Sequence, residues 1–213
     1  MKDIPMFDTD TGVSSLLLKE LPYKQVAYIR VQSVQPGGVS VDLKDCVGFC
    51  RLCGAERVLA QGHEELDSYP LHCSVLTMSC QVSDREPPAM VFPVTEQTVR
   101  RWREIYNEKM APVDNAATMT AFDEKKILAS AGAVFVHADG ELLGIGWVSG
   151  SEILCVATVV PGAGERVLST LLTLIDGDRA VREVASTNTR AIRLYERMGF
   201  VTVGEQSRWY HIT

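Results

Sequence analysis

The residues whose types and spacing could do chemistry fall in three places. Cys50-Arg51-Leu52-Cys53-Gly54 has the form of a zinc knuckle, and His72-Cys73 follows at a distance that could complete four ligands. Pro161-Gly162-Ala163-Gly164-Glu165-Arg166-Val167-Leu168-Ser169 is a glycine-bearing turn running into an apolar helix. A helix N-terminus there would offer unpaired N–H groups and partial positive charge to an anion. Asn188 to Phe200 reads as a short helix with both ends written in: Asn188 as N-cap and Gly199 as the left-handed residue that closes it. Ala191, Leu194, Tyr195 and Met198 fall at i, i+3, i+4 and i+7 and share its buried face, while Arg190, Arg193, Glu196 and Arg197 take the solvated side.

Each signal has a plainer competitor. Cys46, Phe49, Cys50 and Cys53 also recur at helical spacing, with Ser40 as a cap and Gly54 as a stop, which makes them the apolar stripe of a helix from about Asp42 to Cys53. A zinc knuckle needs a turn where that helix needs continuity, so the two exclude each other. Free cysteine behaves as a small hydrophobe, so buried thiols and no bound metal are expected, with zinc as the alternative.

The elements that must position these groups belong to a chain of 213 residues, 46% hydrophobic and 23% charged, long enough to bury a core. A net charge of −6 and a pI near 5.3 exclude a nucleic-acid footprint, which needs clustered Lys and Arg. Apolar stretches such as 127–136 are too short and too interrupted to span a bilayer, and no secretory signal opens the chain, so a cytoplasmic protein is expected. Residues 1–12 are acidic and without period, a loose lead-in. Strands are expected at 14–18, 25–31, 56–60 and 71–82, then a charged, proline-closed linker at 83–88.

Beyond the linker the pattern gives a strand at 90–94, a helix capped by Thr95 with Val99, Trp102, Tyr106 and Met110 on one face, and a short helix at 123–130. A hairpin follows about Asp139-Gly140, then a largely apolar central strand at 152–160, a helix at 165–175 with Val167, Leu168, Leu171, Leu172 and Ile175 buried, and a strand at 180–185. After the Asn188 helix, two strands at 201–204 and 208–212 end the chain.

A strand ending in Ala185-Ser186-Thr187, then Asn188, Ala191-Ile192, Leu194-Tyr195-Glu196 and Gly199-Phe200, resembles the C-terminal signature of the GNAT-type N-acetyltransferases, which take an acyl group from coenzyme A. The resemblance implies an α/β (α+β) GNAT-like acyl-CoA N-acyltransferase fold: a central mixed, mostly antiparallel sheet flanked by helices over residues 89–213. Residues 1–88 would be an N-terminal α/β extension, and the cadence from Phe49 to Glu56 suggests a partial copy of the same architecture. The implied co-substrate is acetyl-CoA and the implied partner a small-molecule or peptide amine, with no nucleic acid and no membrane; a homodimer is compatible with it.

Residue by residue, the resemblance makes Tyr195 the acid for the departing thiolate and Glu152 the base, with His137 and His211 as reserves. It pairs the pantetheine arm with the backbone of Val156, Thr158, Val159 and Val160, and lays the pyrophosphate over Gly162, Gly164, Glu165 and Arg166, with Asn188 beside the cofactor. The loop departs from the family pattern: it is one residue short, lacks the usual Arg, and places the Glu165 carboxylate near the phosphates with Arg166 to offset it. That departure motivates the alternative of a GNAT-fold binding or scaffolding protein without catalysis.

Overall fold

The computed structural model describes residues 5–83, 86–114 and 116–212. Residues 1–4, Asp84 and Arg85 of the expected linker, Asn115 and Thr213 lie outside the described residues. The chain forms two compact units, residues 1–75 with 205–213, and residues 76–204. The division falls inside two strands, between Val75 and Leu76 and between Gly204 and Glu205.

In the first unit, β1 (Met6–Asp8) pairs antiparallel with β2 (Gly12–Leu17), which pairs antiparallel with β3 (Val26–Val34). A single turn α1 (Leu21–Lys24) joins β2 to β3, and helix α2 (Val39–Leu52) crosses over to β4 (Arg57–Gln61), which lies parallel to β3. A 3-10 turn, Glu64–Ser68, then leads to β5 (Leu71–Gln81).

Two expectations fail here. The segment expected to be loose forms β1, because Phe7 packs against Phe49 with ring centroids 5.2 Å apart, and the Thr9 and Ser14 hydroxyls each donate to the buried Asp42 carboxylate at 2.7 Å. Helix α2 starts before Ser40, at N-cap Gly38, and its buried stripe is Val39, Leu43, Cys46 and Cys50, leaving Phe49 and Cys53 exposed. The helix is continuous through Cys50, and among the described residues no group of three or more His, Cys, Asp or Glu stands close enough to hold a metal ion.

In the second unit, β6 (Met90–Pro93) is followed by helices α3 (Val99–Met110) and α4 (Glu124–Ala129). The hairpin β7 (Ala133–Ala138) and β8 (Glu141–Ser149) turns on Asp139 and Gly140, both at positive φ, as a primed two-residue turn requires. Then come β9 (Glu152–Thr158), α5 (Gly164–Leu172), β10 (Arg179–Ala185), α6 (Thr189–Arg197) and β11 (Val201–His211). The strand order in this unit is β5-β10-β9-β8-β7-β6, with β9 interior. All neighbouring pairs from β6 to β9 are antiparallel, and β9 to β10 is parallel. The two expected terminal strands are one: Gly204 to Ser207 continue in strand conformation.

Two apolar layers hold this sheet. One side packs Val167, Leu168, Leu171 and Leu172 of α5, Tyr195 of α6, and Phe200 just beyond that helix. Another cluster gathers Val99, Trp102 and Ile105 of α3 with Ile127, Ile145, Trp147, Cys155 and Ala157. The Trp102 indole donates to the Val134 carbonyl at 3.1 Å, which satisfies a polar atom the packing would otherwise strand. Helix α5 sits directly on β8 at Gly146, where a Cβ would lie 2.3 Å from Leu171 Cδ2.

Gly146→Ala is expected to cost about 1–3 kcal/mol by overpacking against the fully buried Leu171, read as a lower midpoint in urea denaturation; an unchanged midpoint would contradict this seating of α5. Burial pushes the Cys46 and Cys155 thiols up to about 12 and Cys50 to about 11, and Cys53 is the one exposed cysteine. The native protein should therefore react rapidly with one equivalent of a disulfide reagent at pH 8 and with six after unfolding, whereas two or more fast equivalents would place a second thiol at the surface.

Candidate functional site

The site begins where two strands part. Val181 is the β10 residue in register with Glu152 of β9, and its N–H donates to the Ser151 carbonyl at 2.9 Å. Beyond this register the carboxyl ends of β9 and β10 diverge, and a cleft of about 470 Å3 opens. Its walls are Val156 to Thr158 of β9 with Val159 after it, the loop at Pro161 and Gly162, the first turn of α5, the inner side of α6, and the end of α3 at Lys109 and Met110 with Pro112 and Val113 beyond it.

The β9 wall has a definite polarity. Val159 donates its N–H to the Leu143 carbonyl at 2.8 Å, and Val160 does the same at 3.3 Å, so both amides are committed to β8. Antiparallel pairing alternates, so Ala157 and Cys155 also bond towards β8 and the backbone of Val156 and Thr158 faces the other way, into the cleft. Of the four residues expected to pair with a pantetheine arm, Val156 and Thr158 thus have the backbone for it. Val159 lines the cleft with its amide already used, and Val160 lies outside the lining.

At one end of the cleft stands the start of α5. Gly162 turns the chain at φ +85°, and the helix opens on Ala163 with no side-chain cap. The first ladder bond runs from the Val167 N–H to the Ala163 carbonyl at 2.9 Å, so the N–H groups of Gly164, Glu165 and Arg166 precede the helical ladder. Gly164 allows α6 to come close: a Cβ there would meet Leu194 Cδ2 at 3.0 Å.

The charges differ from the sequence expectation. Arg166 does not offset Glu165; it turns away to Asp139 at 2.9 Å and to the Pro88 carbonyl at 3.0 Å. Glu165 is instead paired with Arg197 of α6 at 2.8 Å. Arg190 and Lys109 also line the cleft, Lys109 paired with Glu108 at 2.7 Å. Three cations and one carboxylate among the described lining residues suit an anionic ligand. Arg190 and Arg197 are exposed on the solvated side of α6, as their spacing predicts, and both also line the cleft. Their signal was their seven-residue separation, which sets both along the edge of the stripe made by Ala191 and Leu194.

Helix α6 carries the remaining groups. Asn188 lines the cleft and caps the helix, its side-chain oxygen accepting from the Ala191 N–H at 3.2 Å. Gly199, at φ +86°, ends it, and the Phe200 N–H returns to the Tyr195 carbonyl at 2.9 Å. Tyr195 lines the cleft although only 2% exposed, with its ring 5.6 Å from that of Phe200. Burial pushes its phenol above the ordinary value, so the hydroxyl keeps its proton at neutral pH.

The other expected groups do not converge on the cleft. Glu152 is exposed at the amino end of β9, about 13 Å along the strand from Val156, and does not line it. His137 packs edge-on against Phe92 at 5.1 Å on β7, and His211 belongs to the first unit, where its Nε2 lies 3.0 Å from His72 Nδ1.

No protein-family profile and no curated protein matches the sequence. Solved structures do. A GCN5-related N-acetyltransferase from Kribbella flavida matches with 13% identity and a TM-score of 0.57, over 99% of this chain and 90% of its own. A functionally unknown conserved protein from Staphylococcus epidermidis matches with 12% identity and a TM-score of 0.59, over 99% and 94%. A tandem GNAT protein from the clavulanic acid biosynthesis pathway matches with 13% identity and a TM-score of 0.51, over 94% and 78%. At these identities the likeness carries the fold, and the chain has the GNAT fold of the GCN5-related N-acetyltransferases.

Proposed function

We propose that the chain is an acetyl-CoA-dependent N-acetyltransferase acting on a small-molecule or peptide amine. The observation that carries this reading is the parting of β9 and β10 beside the uncapped start of α5, with a protonated phenol on the inner wall. The residues present suit acetyl-CoA at each point. The N–H groups at Gly164 to Arg166, with Arg190 and Arg197, would hold the pyrophosphate. The backbone of Val156 and Thr158 would pair with the pantetheine amides, and Asn188 would stand beside the arm. Tyr195 would pass its proton to the departing sulfur. Glu165 is the one carboxylate among the described lining residues and is ion-paired, so the amine would enter neutral or lose its proton to water. Among the described residues no helix is long and apolar enough to cross a membrane, and a cytoplasmic location fits the co-substrate.

The chemistry is assigned to the second unit alone. The first unit has the same run of elements: β2 antiparallel to β3, then α2 crossing to a parallel β4, as β8, β9, α5 and β10 do. Gln35-Pro36-Gly37-Gly38 stands where Pro161 to Gly164 stand. We read it as a partial copy whose seam is shut. Strands β3 and β4 stay paired from Val26 to Arg30, and the Thr11 hydroxyl donates to the Gly38 carbonyl at 3.3 Å, at the start of α2.

A second reading has its own observation: the Glu165–Arg197 pair lies across the place a pyrophosphate would take, which suits a GNAT-fold binding or scaffolding protein without turnover. Calorimetric titration with acetyl-CoA separates both from a protein that does not bind it; no heat at millimolar ligand removes the cofactor from either. Glu165→Gln should tighten binding by about three- to tenfold, since it removes a carboxylate from the anion site and frees Arg197, and weaker binding would show that the pair builds the site. Tyr195→Phe should lower kcat by about 10²-fold in thiol-release assays against a panel of amines while leaving acetyl-CoA affinity unchanged. Turnover indifferent to this change would remove the phenol from the reaction.

A further inference from the structure

Behind the phenol stands a cation that the site as described has not used. Arg182, on β10, places its guanidinium carbon 5.3 Å from the centroid of the Tyr195 ring. Its Nη1 donates to the Ile153 carbonyl at 2.8 Å, while its buried Nε has no hydrogen-bond partner. Among the described residues it has no carboxylate partner either. A half-buried guanidinium without a counter-charge is a costly thing to place in an apolar layer, and a structural role would be met better by an aliphatic side chain or by a completed ion pair. Its charge faces a tyrosine that is itself buried, with the buried thiol of Cys155 as the other ionisable group beside it.

We infer that Arg182 is the positioning residue for Tyr195: it fixes the ring at the inner wall of the cleft and supplies the positive charge that a phenol needs when it gives up its proton. This rests on the acetyltransferase reading. As the carbon–sulfur bond of the thioester breaks, the electron pair stays on sulfur and the Tyr195 hydroxyl proton moves to it, giving the free thiol. The negative charge left on the phenol oxygen develops next to the Arg182 guanidinium. The proton shed by the acceptor nitrogen as its bond to the acetyl carbon forms returns through water to that oxygen, so atoms and charge balance over the cycle. Arg182 touches neither thioester nor amine. It acts through the phenol, opposing the upward push of burial by its charge and by hydrogen bonding.

The test uses the full chain with Arg182→Gln, Arg182→Lys, Tyr195→Phe and the Arg182→Gln/Tyr195→Phe double variant. Turnover is followed by thiol release from acetyl-CoA with spermidine, lysine and a short peptide bearing a free amino terminus as acceptors. In parallel, the wild type and the arginine variants are labelled with 3-fluorotyrosine and titrated by 19F NMR, the residue-195 signal being identified by its loss in Tyr195→Phe. Arg182→Gln is expected to lower kcat by about tenfold or more with the KM for acetyl-CoA unchanged, and to raise the titration midpoint of residue 195 by about one pH unit. Adding it to Tyr195→Phe should cost nothing further, because both act on one proton transfer. Arg182→Lys keeps the charge and keeps the question open should the glutamine variant fold poorly: its midpoint should stay near that of the wild type, and a rise by a full unit would overturn the proposal. So would an unmoved midpoint in Arg182→Gln, or rate losses that multiply in the double variant. If the wild-type protein releases no thiol with any of the amines, the transferase reading falls and the proton-donor role with it. If it turns over and the midpoint does not move, this inference alone falls.

Discussion

The site depends on one hydrogen-bonding constraint. A parallel pair of strands can stay zipped only while both backbones run side by side, and in the second unit β9 and β10 are held together at their amino ends, at Glu152 and Val181. Past that point β9 keeps its bonds to β8, through amides such as that of Val159, and turns its other edge towards space. Backbone groups left on such an edge are strong donors and acceptors, and a ligand with amides of its own can complete the ladder as a missing strand would. The wall of Val156 and Thr158, the bare helix start at Ala163 and the phenol of Tyr195 are useful because the parting brings them to one opening.

That opening is framed by packing more than by charge. Glycines in β8 let α5 lie against the sheet without a Cβ layer between them, as at Gly146, so the helix start comes down to the level of the strand ends. Helix α6 is fixed from both ends, by Asn188 and by Gly199, and its one fully buried side chain is Tyr195. The charges are arranged on this frame afterwards: Arg166 is tied outward to Asp139, and Arg197 crosses to Glu165. A surface pair of this kind is worth about 0–1 kcal/mol, so it adds little to holding the two helices together.

Much of this frame was legible in the sequence, since caps and periodicity are local. Asn188 and Gly199 mark α6, Asp139-Gly140 marks the hairpin, and the apolar stripe at Val167, Leu168, Leu171 and Leu172 is read correctly from spacing alone. The errors lie where a distant partner decides. Residues 6–8 look like a loose tail until Phe49 and Asp42 are found beneath their neighbourhood. Helix α2 begins on Gly38, a residue with no side chain to announce a cap. Arg197 takes the place expected of Arg166 because the residue that supplies the counter-charge to Glu165 is 32 residues away in the chain. The place of Arg182 beside the Tyr195 ring is not legible in the sequence, since a lone arginine in a strand gives no signal of the ring it faces.

The closed seam of the first unit has a consequence for how the chain meets heat. Strands β3 and β4 already satisfy one another from Val26 to Arg30, so nothing that enters from solution can add bonds there. The parted seam of the second unit can gain them, and any molecule that does so lifts that unit's stability in proportion to the logarithm of its concentration. A chain whose halves have similar scaffolds would then soften unevenly: one half at a temperature of its own, the other at a temperature set by what the surrounding medium contains.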